Sequence, residues 1–187
     1  MNNFSLITKV DVSTLVRSLE INEELWDQCT LRTYYIGSAH SEANDIVIRY
    51  PSLKQSSLEI FNDLECEWFP ASFEIPVKEH IYGLMQLVLG DRVGRCCITR
   101  LKPGCEIFPH IDEGIPSKYY QRFHICLKNS DGSIFKCEDE IFTPTVGDVY
   151  IVANHKIHSV ENNTTEDRLT LIIDIRTPLF EHIKETR

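Results

Sequence analysis

The segment that decides how this chain is built is P-H-I-D-E-G, residues 109–114, together with H-S-V-E-N, residues 158–162. His110 and Asp112 are two positions apart, and residues i and i+2 of a β-strand point to the same face. One imidazole and one carboxylate can therefore reach the same small cation. If the chain folds back to bring His158 beside them, the three side chains form a two-histidine, one-carboxylate metal site with open positions.

This set of ligands suits Fe(II) in non-haem oxygenases. His155 competes with His158 for the place of the second histidine. We favour His158, because it stands in the strand-like run K-I-H-S-V-E, whereas His155 lies at a predicted turn. His110, Asp112 and His158 are thus the predicted metal ligands and catalytic residues.

Composition excludes several classes of protein. The chain has 187 residues, 42% of them hydrophobic, and a formal net charge of -9. That charge argues against a protein that binds the nucleic-acid backbone, and it suits an anionic membrane surface poorly. We expect no signal peptide, because residues 1–10 lack its features, and no apolar run approaches the roughly 18 residues of a membrane span. Seven cysteines without C-x-x-C spacing indicate reduced thiols and a cytoplasmic protein.

The pattern of the second half predicts the fold. After Gly90, short β-type runs alternate with turns rich in Gly, Pro and Asn. This texture is typical of a sandwich or barrel, and we predict a mainly β protein. The expected architecture is a double-stranded β-helix, the cupin-like jelly roll, with a few flanking N-terminal helices. Before Gly90, residues 45–50 predict a strand, and the segment from Pro76 to Gly90 predicts a helix.

No linker, repeat or low-complexity tract divides the chain, so we predict a single domain, residues 1–187. Residues 1–90 are expected to give helical and strand support and substrate-side loops. Residues 91–178 would form the jelly-roll catalytic core. Residues 179–187 are expected to be a C-terminal tail.

Strand alternation places charged residues together on one face of each of two predicted strands. In Q-R-F-H-I-C-L, residues 121–127, Arg122 and His124 share a face, and Arg168 begins the polar face of the last strand. Cations on a buried strand face are costly unless they meet an anion. Because arginine suits a bidentate carboxylate, we predict that Arg168 anchors the far carboxylate of a 2-oxoacid beside the metal.

Less specific interpretations stay open at this point. Arg122 and His124 could occupy a solvated strand face. Arg168 could form an edge salt bridge with Glu166 or Asp167, worth about 0–1 kcal/mol if exposed. His40, His80 and His182 join no constellation and are interpreted as surface residues, and cysteines such as Cys97 and Cys126 as small core residues.

Taken together, four segments resemble the aspartyl/asparaginyl β-hydroxylase family of Fe(II)- and 2-oxoglutarate-dependent dioxygenases. They are L-K-P-G-C-E-I-F-P-H-I-D, R-F-H-I-C-L, G-D-V-Y-I-V-A-N-H-K-I-H-S-V-E-N and R-L-T-L-I-I-D-I-R-T-P. They lie in this order between about Thr99 and Pro178. The resemblance implies the same iron ligands and the same anchor on the last strand, with Fe(II), 2-oxoglutarate and O₂ as the cofactor and co-substrates.

The resemblance also implies roles for further residues. Arg122 and His124 would approach the carboxylates of 2-oxoglutarate, and Thr99 would offer its hydroxyl to the same molecule. Substrate contacts in this family come from N-terminal loops and from the loop after the His-x-Asp pair. We therefore expect contacts from residues 34–50 and from the segment E-G-I-P-S-K-Y-Y, and the individual candidates are Arg49, Tyr119 and Tyr120.

The implied reaction is hydroxylation of an unactivated C–H bond in an amino acid or an Asp/Asn-type side chain, with succinate and CO₂ as co-products. The partner would be a small amino acid, a peptide or a protein, with no nucleic acid and no membrane. The alternative is a cupin-like ligand-binding or metal protein without 2-oxoglutarate turnover.

Overall fold

Two antiparallel sheets face each other in this structure, a computed structural model that describes residues 2–52 and 62–178. The larger sheet has seven strands in the spatial order β1-β9-β6-β11-β4-β2-β3. Its strands are β1 (Phe4–Lys9), β2 (Ala43–Tyr50), β3 (Glu67–Trp68), β4 (Arg92–Leu101), β6 (Gln121–Lys128), β9 (Asp148–Val152) and β11 (Arg168–Arg176).

The smaller sheet has four strands in the order β5-β10-β7-β8. Its strands are β5 (Glu106–His110), β7 (Ser133–Cys137), β8 (Glu140–Phe142) and β10 (His158–Asn162). The helices of the described residues are α1 (Ser13–Ile21), a 3-10 turn (Glu23–Leu25), α2 (Ala71–Glu74), α3 (Val77–Leu87) and α4 (Gly114–Tyr119).

The eight strands from β4 to β11 divide equally between the two sheets. The chain passes from one sheet to the other along this run, except at the β7–β8 hairpin within the smaller sheet. This is the double-stranded β-helix predicted from the sequence, and its strands occupy 92–176, inside the predicted core of 91–178. The N-terminal region is continuous with it, because β1 pairs with β9 and β2 pairs with β4.

Period-two alternation separates the apolar core from the barrel interior. On β6, Phe123, Ile125 and Leu127 pack outward against the cluster that α1 and α3 cover. The predicted helix starting near Pro76 is α3, whose buried residues Val77 and Ile81 join the same cluster. The opposite face of β6 looks between the sheets, where the site described below lies.

A second cluster fills the space between the sheets. Phe135 and Tyr150 are its largest fully or nearly fully buried members, and their ring centroids lie 6.1 Å apart at a steep angle. Edge-to-face rings pack densely and leave little space. The cluster therefore gives the polar part of the barrel interior a rigid apolar support.

The helices in the described part of the chain are short. The longest, α3, has 11 residues. About 20 residues are needed to cross the hydrocarbon core. None of these helices could therefore span a membrane. The predicted C-terminal tail, residues 179–187, lies outside the described residues.

Gly147 tests how tightly the N-terminal strand is attached. It has a φ of 88°, and an added Cβ would overlap the carbonyl oxygen of Val10, which follows β1. We expect Gly147→Ala to lower the free energy of unfolding by about 2–4 kcal/mol, from left-handed backbone strain plus overlap. Urea denaturation would measure this.

Gly104→Ala is the matched control. Its φ is 77°, but no heavy atom lies within 4 Å of an added Cβ. The free energy of unfolding should therefore fall only by the cost of the left-handed backbone, about 1–2 kcal/mol. Equal losses in the two variants would contradict the importance of the contact with Val10.

Candidate active site

Strand pairing brings the two predicted histidine ligands together. β10 runs antiparallel to β5, and His158 is the direct partner of His110 in this register. Their ring centroids lie 4.3 Å apart. Asp112 lies two residues beyond β5, where its backbone N–H donates to the carbonyl of Asn154 at 2.9 Å. One ligand atom of each of the three residues lies within 4.8 Å of the others.

Backbone carbonyls fix the orientation of both imidazoles. His110 Nδ1 lies 2.8 Å from the carbonyl oxygen of Phe108, and His158 Nδ1 lies 2.9 Å from that of Lys156. A carbonyl oxygen only accepts hydrogen bonds, so each Nδ1 must carry the proton. The Nε2 lone pairs are then available to a cation. Burial lowers the pKa of His158 below its ordinary value, which favours the neutral form that a metal requires.

The carboxylate of Asp112 has one oxygen held and one oxygen available. Its Oδ2 accepts hydrogen bonds from Arg122 Nη1 at 2.6 Å and from Asn154 Nδ2 at 2.9 Å. Its Oδ1 lies 3.7 Å from His110 Nε2. Burial is the largest single effect and would raise the pKa of Asp112. The charge of Arg122, the two histidines and the hydrogen bond from Asn154 together outweigh it and hold that pKa well below its usual range. The Asp112 carboxylate is therefore ionised and can bind a cation.

Arg122 is itself held by a second carboxylate. Asp174 on β11 accepts from Arg122 Nε at 2.8 Å and from Nη2 at 3.0 Å. The sequence did not single out Asp174 as a site residue, although alternation placed it on the polar face of the last strand. Arg122 does lie beside the metal-ligand candidates, but two protein carboxylates engage its guanidinium. Its contact with 2-oxoglutarate stays a prediction.

A narrow cavity of about 40 Å³ lies behind the three ligand candidates. Arg168 lines it and is only 4% exposed. Its Nη2 donates to the hydroxyl of Tyr150 at 3.2 Å, and its Nε has no hydrogen-bond partner among the described residues. Within residues 2–52 and 62–178, Arg168 forms no salt bridge, and Glu166 pairs with Lys128 instead. The edge salt bridge considered above is thus absent from this part of the chain.

Two more buried polar atoms in the narrow cavity lack hydrogen-bond partners in the part of the chain that the structure describes. They are Nδ1 of His124 and Oγ1 of Thr170. Burial, followed by the charges of Arg122 and Arg168, holds the pKa of His124 well below its ordinary value, so its ring is neutral at pH 7. Buried polar groups are normally hydrogen-bonded. Three unpartnered atoms around one small space indicate a polar ligand.

Thr99 also lines the narrow cavity, but its hydroxyl is occupied. It donates to Asp45 Oδ1 at 2.9 Å and accepts from Arg32 Nη2 at 2.7 Å. Arg32 in turn pairs with both oxygens of Asp45 at 2.7 Å. The role of Thr99 toward 2-oxoglutarate stays a prediction. Arg32 escaped the sequence analysis because it lies in an irregular segment without a period.

A wide cavity of about 350 Å³ opens on the other side of the triad. Six residues line both cavities and so mark the junction: Arg32, His40, His110, Asp112, Arg122 and Ile172. The interpretation of His40 as a surface residue is wrong. Its ring lies 4.8 Å from that of His110, edge to face, and burial holds its pKa well below the ordinary value. His155 is exposed and lies outside the triad, and His182 lies outside the described residues.

Arg49 does not line the wide cavity, and a β-bulge explains why. Val47 pairs with Cys97, but Arg49 pairs with Cys96, so β2 carries one extra residue there. After the bulge, each residue of β2 points to the face opposite to the one that regular alternation would give it. Tyr50 therefore takes the place on the cavity wall, while Arg49 lies over the ring of Trp68, 4.9 Å from its centroid.

The two tyrosine candidates also lie outside both cavity walls. The hydroxyl of Tyr120 donates to the carbonyl of Leu64 at 3.1 Å, and that of Tyr119 accepts from Arg176 Nη1 at 2.5 Å. Helix α4 instead turns Pro116 and Ser117 toward the wide cavity. The predicted segment does reach the cavity, through a short helix that the sequence analysis did not foresee. The contacts of Tyr119 and Tyr120 with a substrate stay predictions.

Comparison with functionally curated protein sequences gave no match. A sequence model of the aspartyl/asparaginyl beta-hydroxylase family matches residues 14–178. The chain belongs to this family. As a member of the aspartyl/asparaginyl beta-hydroxylase family, the protein is an enzyme of the hydroxylase class, as the sequence predicted.

Two solved structures are similar to this aspartyl/asparaginyl beta-hydroxylase family member. One is a 2OG-Fe(II) oxygenase family oxidoreductase from Burkholderia pseudomallei, with 18% identity and a TM-score of 0.51, covering 72% of this chain and 66% of that one. The other is a Pseudomonas putida prolyl-4-hydroxylase, with 13% identity and a TM-score of 0.51, covering 95% and 94%. At such identities they support the fold. The chain spans just under two thirds of the Burkholderia protein.

Asp174 offers a test of how Asp112 is oriented. In Asp174→Asn the amide nitrogen cannot accept from Arg122, so the guanidinium loses a charged partner and holds Asp112 less firmly. We expect the affinity for Mn(II), as a redox-stable substitute for Fe(II), to fall by about tenfold. The electron paramagnetic resonance signal of free Mn(II) would measure it.

Asp91→Asn is the matched control, because Asp91 forms a comparable two-pronged pair with Arg176 at the surface. Its metal affinity should equal that of the unmodified protein. An unchanged affinity in Asp174→Asn would show that Arg122 keeps its position without this partner.

Proposed function

We propose that the protein is an Fe(II)- and 2-oxoglutarate-dependent dioxygenase that hydroxylates an unactivated C–H bond of an amino acid or an Asp/Asn-type side chain. One observation carries the proposal. The buried guanidinium of Arg168 has no carboxylate partner in the described chain and lies behind a two-histidine, one-carboxylate cluster. A lone buried charge is unfavourable until an anion joins it.

The ligand cluster fits Fe(II) in its chemistry. His110 and His158 would coordinate the ion through Nε2, and Asp112 through Oδ1. Two imidazoles and one carboxylate leave coordination positions open, as non-haem Fe(II) oxygenases require. The carbonyls that orient the imidazoles, and the donors that hold Asp112 Oδ2, provide the outer support that such sites need.

The narrow cavity fits the far carboxylate of 2-oxoglutarate. Arg168 would bind it, with Thr170 and His124 as neighbouring hydrogen-bond partners. A buried polar atom of each of these three residues lacks a hydrogen-bond partner among residues 2–52 and 62–178. When bound, Fe(II) and 2-oxoglutarate together supply the oxidation of a C–H bond by O₂, with succinate and CO₂ as co-products.

The chain itself contributes position and a sheltered environment. Arg122 and Asn154 keep one oxygen of Asp112 occupied, so the carboxylate presents only the other to the metal. The apolar cluster of Phe135 and Tyr150 limits water behind Arg168. The wide cavity lies across the triad and is where we place the substrate, a free amino acid or a residue of a peptide or protein.

The binding of 2-oxoglutarate tests this proposal. Anaerobic addition of Fe(II) and 2-oxoglutarate should produce a weak visible charge-transfer band, which His110→Ala abolishes. Arg168→Gln removes the anchoring charge and should raise the 2-oxoglutarate concentration for half-saturation by about thirtyfold or more. Titration of the band would measure both effects.

Lys128→Gln is the control for lost charge, since Lys128 is the cross-strand partner of Leu169 but pairs with Glu166 at the surface. It should leave the titration unchanged. A missing band, or a band that persists in His110→Ala and Arg168→Gln, would instead favour a cupin-like binding protein without 2-oxoglutarate turnover.

A further inference from the structure

The guanidinium of Arg32 lies where the narrow and wide cavities meet, and its carboxylate partner fixes its orientation. Its Nε and Nη2 donate to the two carboxylate oxygens of Asp45, each at 2.7 Å, and Nη2 also donates to the hydroxyl of Thr99 at 2.7 Å. Asp45 is 1% exposed and lies opposite Thr99 in the pairing of β2 with β4. A two-pronged pair of this kind holds a guanidinium in one plane. Arg32 is therefore firmly oriented, although it belongs to an irregular segment.

One nitrogen of Arg32 takes no part in this arrangement. Its Nη1 makes no hydrogen bond with any residue in 2–52 or 62–178. The side chain is 15% exposed and lines both cavities. Arg122, the other arginine at the junction, differs, because each of its three nitrogens donates to Asp112 or Asp174. Nη1 of Arg32 is thus a charged N–H donor at the junction without an acceptor in the described chain.

This donor suits the end of 2-oxoglutarate that lies away from Arg168. If Arg168 binds the far carboxylate in the narrow cavity, the keto-acid end belongs at the junction, which His110 and Asp112 also line. Besides these two metal-ligand candidates, Arg122 and Ile172, the junction offers only His40 and Arg32 among the described residues. Arginine is always charged, and its N–H groups form a fixed fork that suits a carboxylate better than an imidazole does.

We propose that Arg32 binds, through Nη1, the carboxylate at the keto-acid end of 2-oxoglutarate; this rests on the proposed function. Asp45 and Thr99 are positioning residues for this contact, because they act by holding the guanidinium in place. Thr99 would then serve the co-substrate through Arg32, whereas the resemblance implied a direct contact of its hydroxyl.

The formal charges around the narrow cavity favour a dianion. The charged residues that line it are Arg32, Asp112, Arg122 and Arg168. Asp45 and Asp174 pair with two of these arginines. Three positive and three negative charges cancel (3 − 3 = 0), so a bound divalent cation leaves two positive charges. 2-Oxoglutarate balances them with one carboxylate at each end, and each end then meets its own arginine.

Two 2-oxo acids separate the two ends of the co-substrate in a binding test. 2-Oxoglutarate has both carboxylates, whereas 2-oxopentanoate keeps the keto-acid end and has a methyl group in place of the far carboxylate. Dissociation constants are measured on the full chain without oxygen, from the charge-transfer band with Fe(II) and by calorimetry with Mn(II). Arg168→Gln should weaken 2-oxoglutarate binding strongly but change that of 2-oxopentanoate by less than about threefold.

Substitutions of Arg32 should weaken both acids by the same factor, because the acids share the end that Arg32 contacts. Arg32→Lys keeps a charge beside Asp45 but lacks the fork that serves the aspartate and the ligand together, so we expect about tenfold weaker binding. The double variant Arg32→Gln with Asp45→Asn removes the cation and its anion together and leaves the net charge unchanged. It should weaken both acids by about thirtyfold. Thermal denaturation checks that both variants are folded.

Arg100→Gln combined with Glu23→Gln is the matched control. Arg100 follows Thr99 on β4, pairs with Glu23 at 2.8 Å and lies 4.2 Å from the centroid of the Trp26 ring. It lines neither the narrow nor the wide cavity. Both acids should bind to this double variant as they bind to the unmodified protein.

Three results would reject the role of Arg32. They are unchanged affinities in its two variants, a loss confined to 2-oxoglutarate, which would place Arg32 at the far carboxylate, and no detectable binding of 2-oxopentanoate to the unmodified protein. The charge-transfer band of Fe(II) and 2-oxoglutarate is recorded on the same preparations. A normal band in the unmodified protein with any of these results rejects the contact alone, whereas an absent band rejects the proposed function.

Discussion

The guanidinium of Arg122 joins three parts of the barrel that sequence keeps far apart. It extends from β6 to Asp174 on β11 and to Asp112 beyond β5. A buried arginine between two carboxylates is favourable only when all three groups keep their geometry, because any one alone would be an uncompensated charge. The position of Asp112, and with it the ligand cluster and the junction of the two cavities, depends on this bridge.

The same rule explains the contrast between the arginines of the interior. Arg32 and Arg122 have carboxylate partners and stiffen the frame, whereas Arg168 has a phenol and an apolar surround. A folded protein accepts an uncompensated buried cation at a cost in stability. In an enzyme, that cost can be offset when an anionic co-substrate binds.

Much of this site could be predicted from the sequence because it lies on β-strands, where side chains alternate between two faces. Alternation on β6 and β11 placed His124 and Arg168 on the interior face, and the residue types at 110, 112 and 158 indicated a cation. Period-based reasoning fails where the period is broken. The bulge in β2 exchanged Arg49 for Tyr50, and the irregular segment that holds Arg32 and His40 has no period to follow.

The bulge in β2 has a consequence for how such a barrel can diversify. One inserted backbone position, not a substitution, decides whether a phenol or a guanidinium lines the wide cavity. Loss of a single residue there would rotate the end of the strand and exchange these two side chains, while the pairing of β4 with β11 on its other edge would stay as it is. Changes in chain length at the edge of this barrel are therefore a route to new specificity that leaves the catalytic frame untouched.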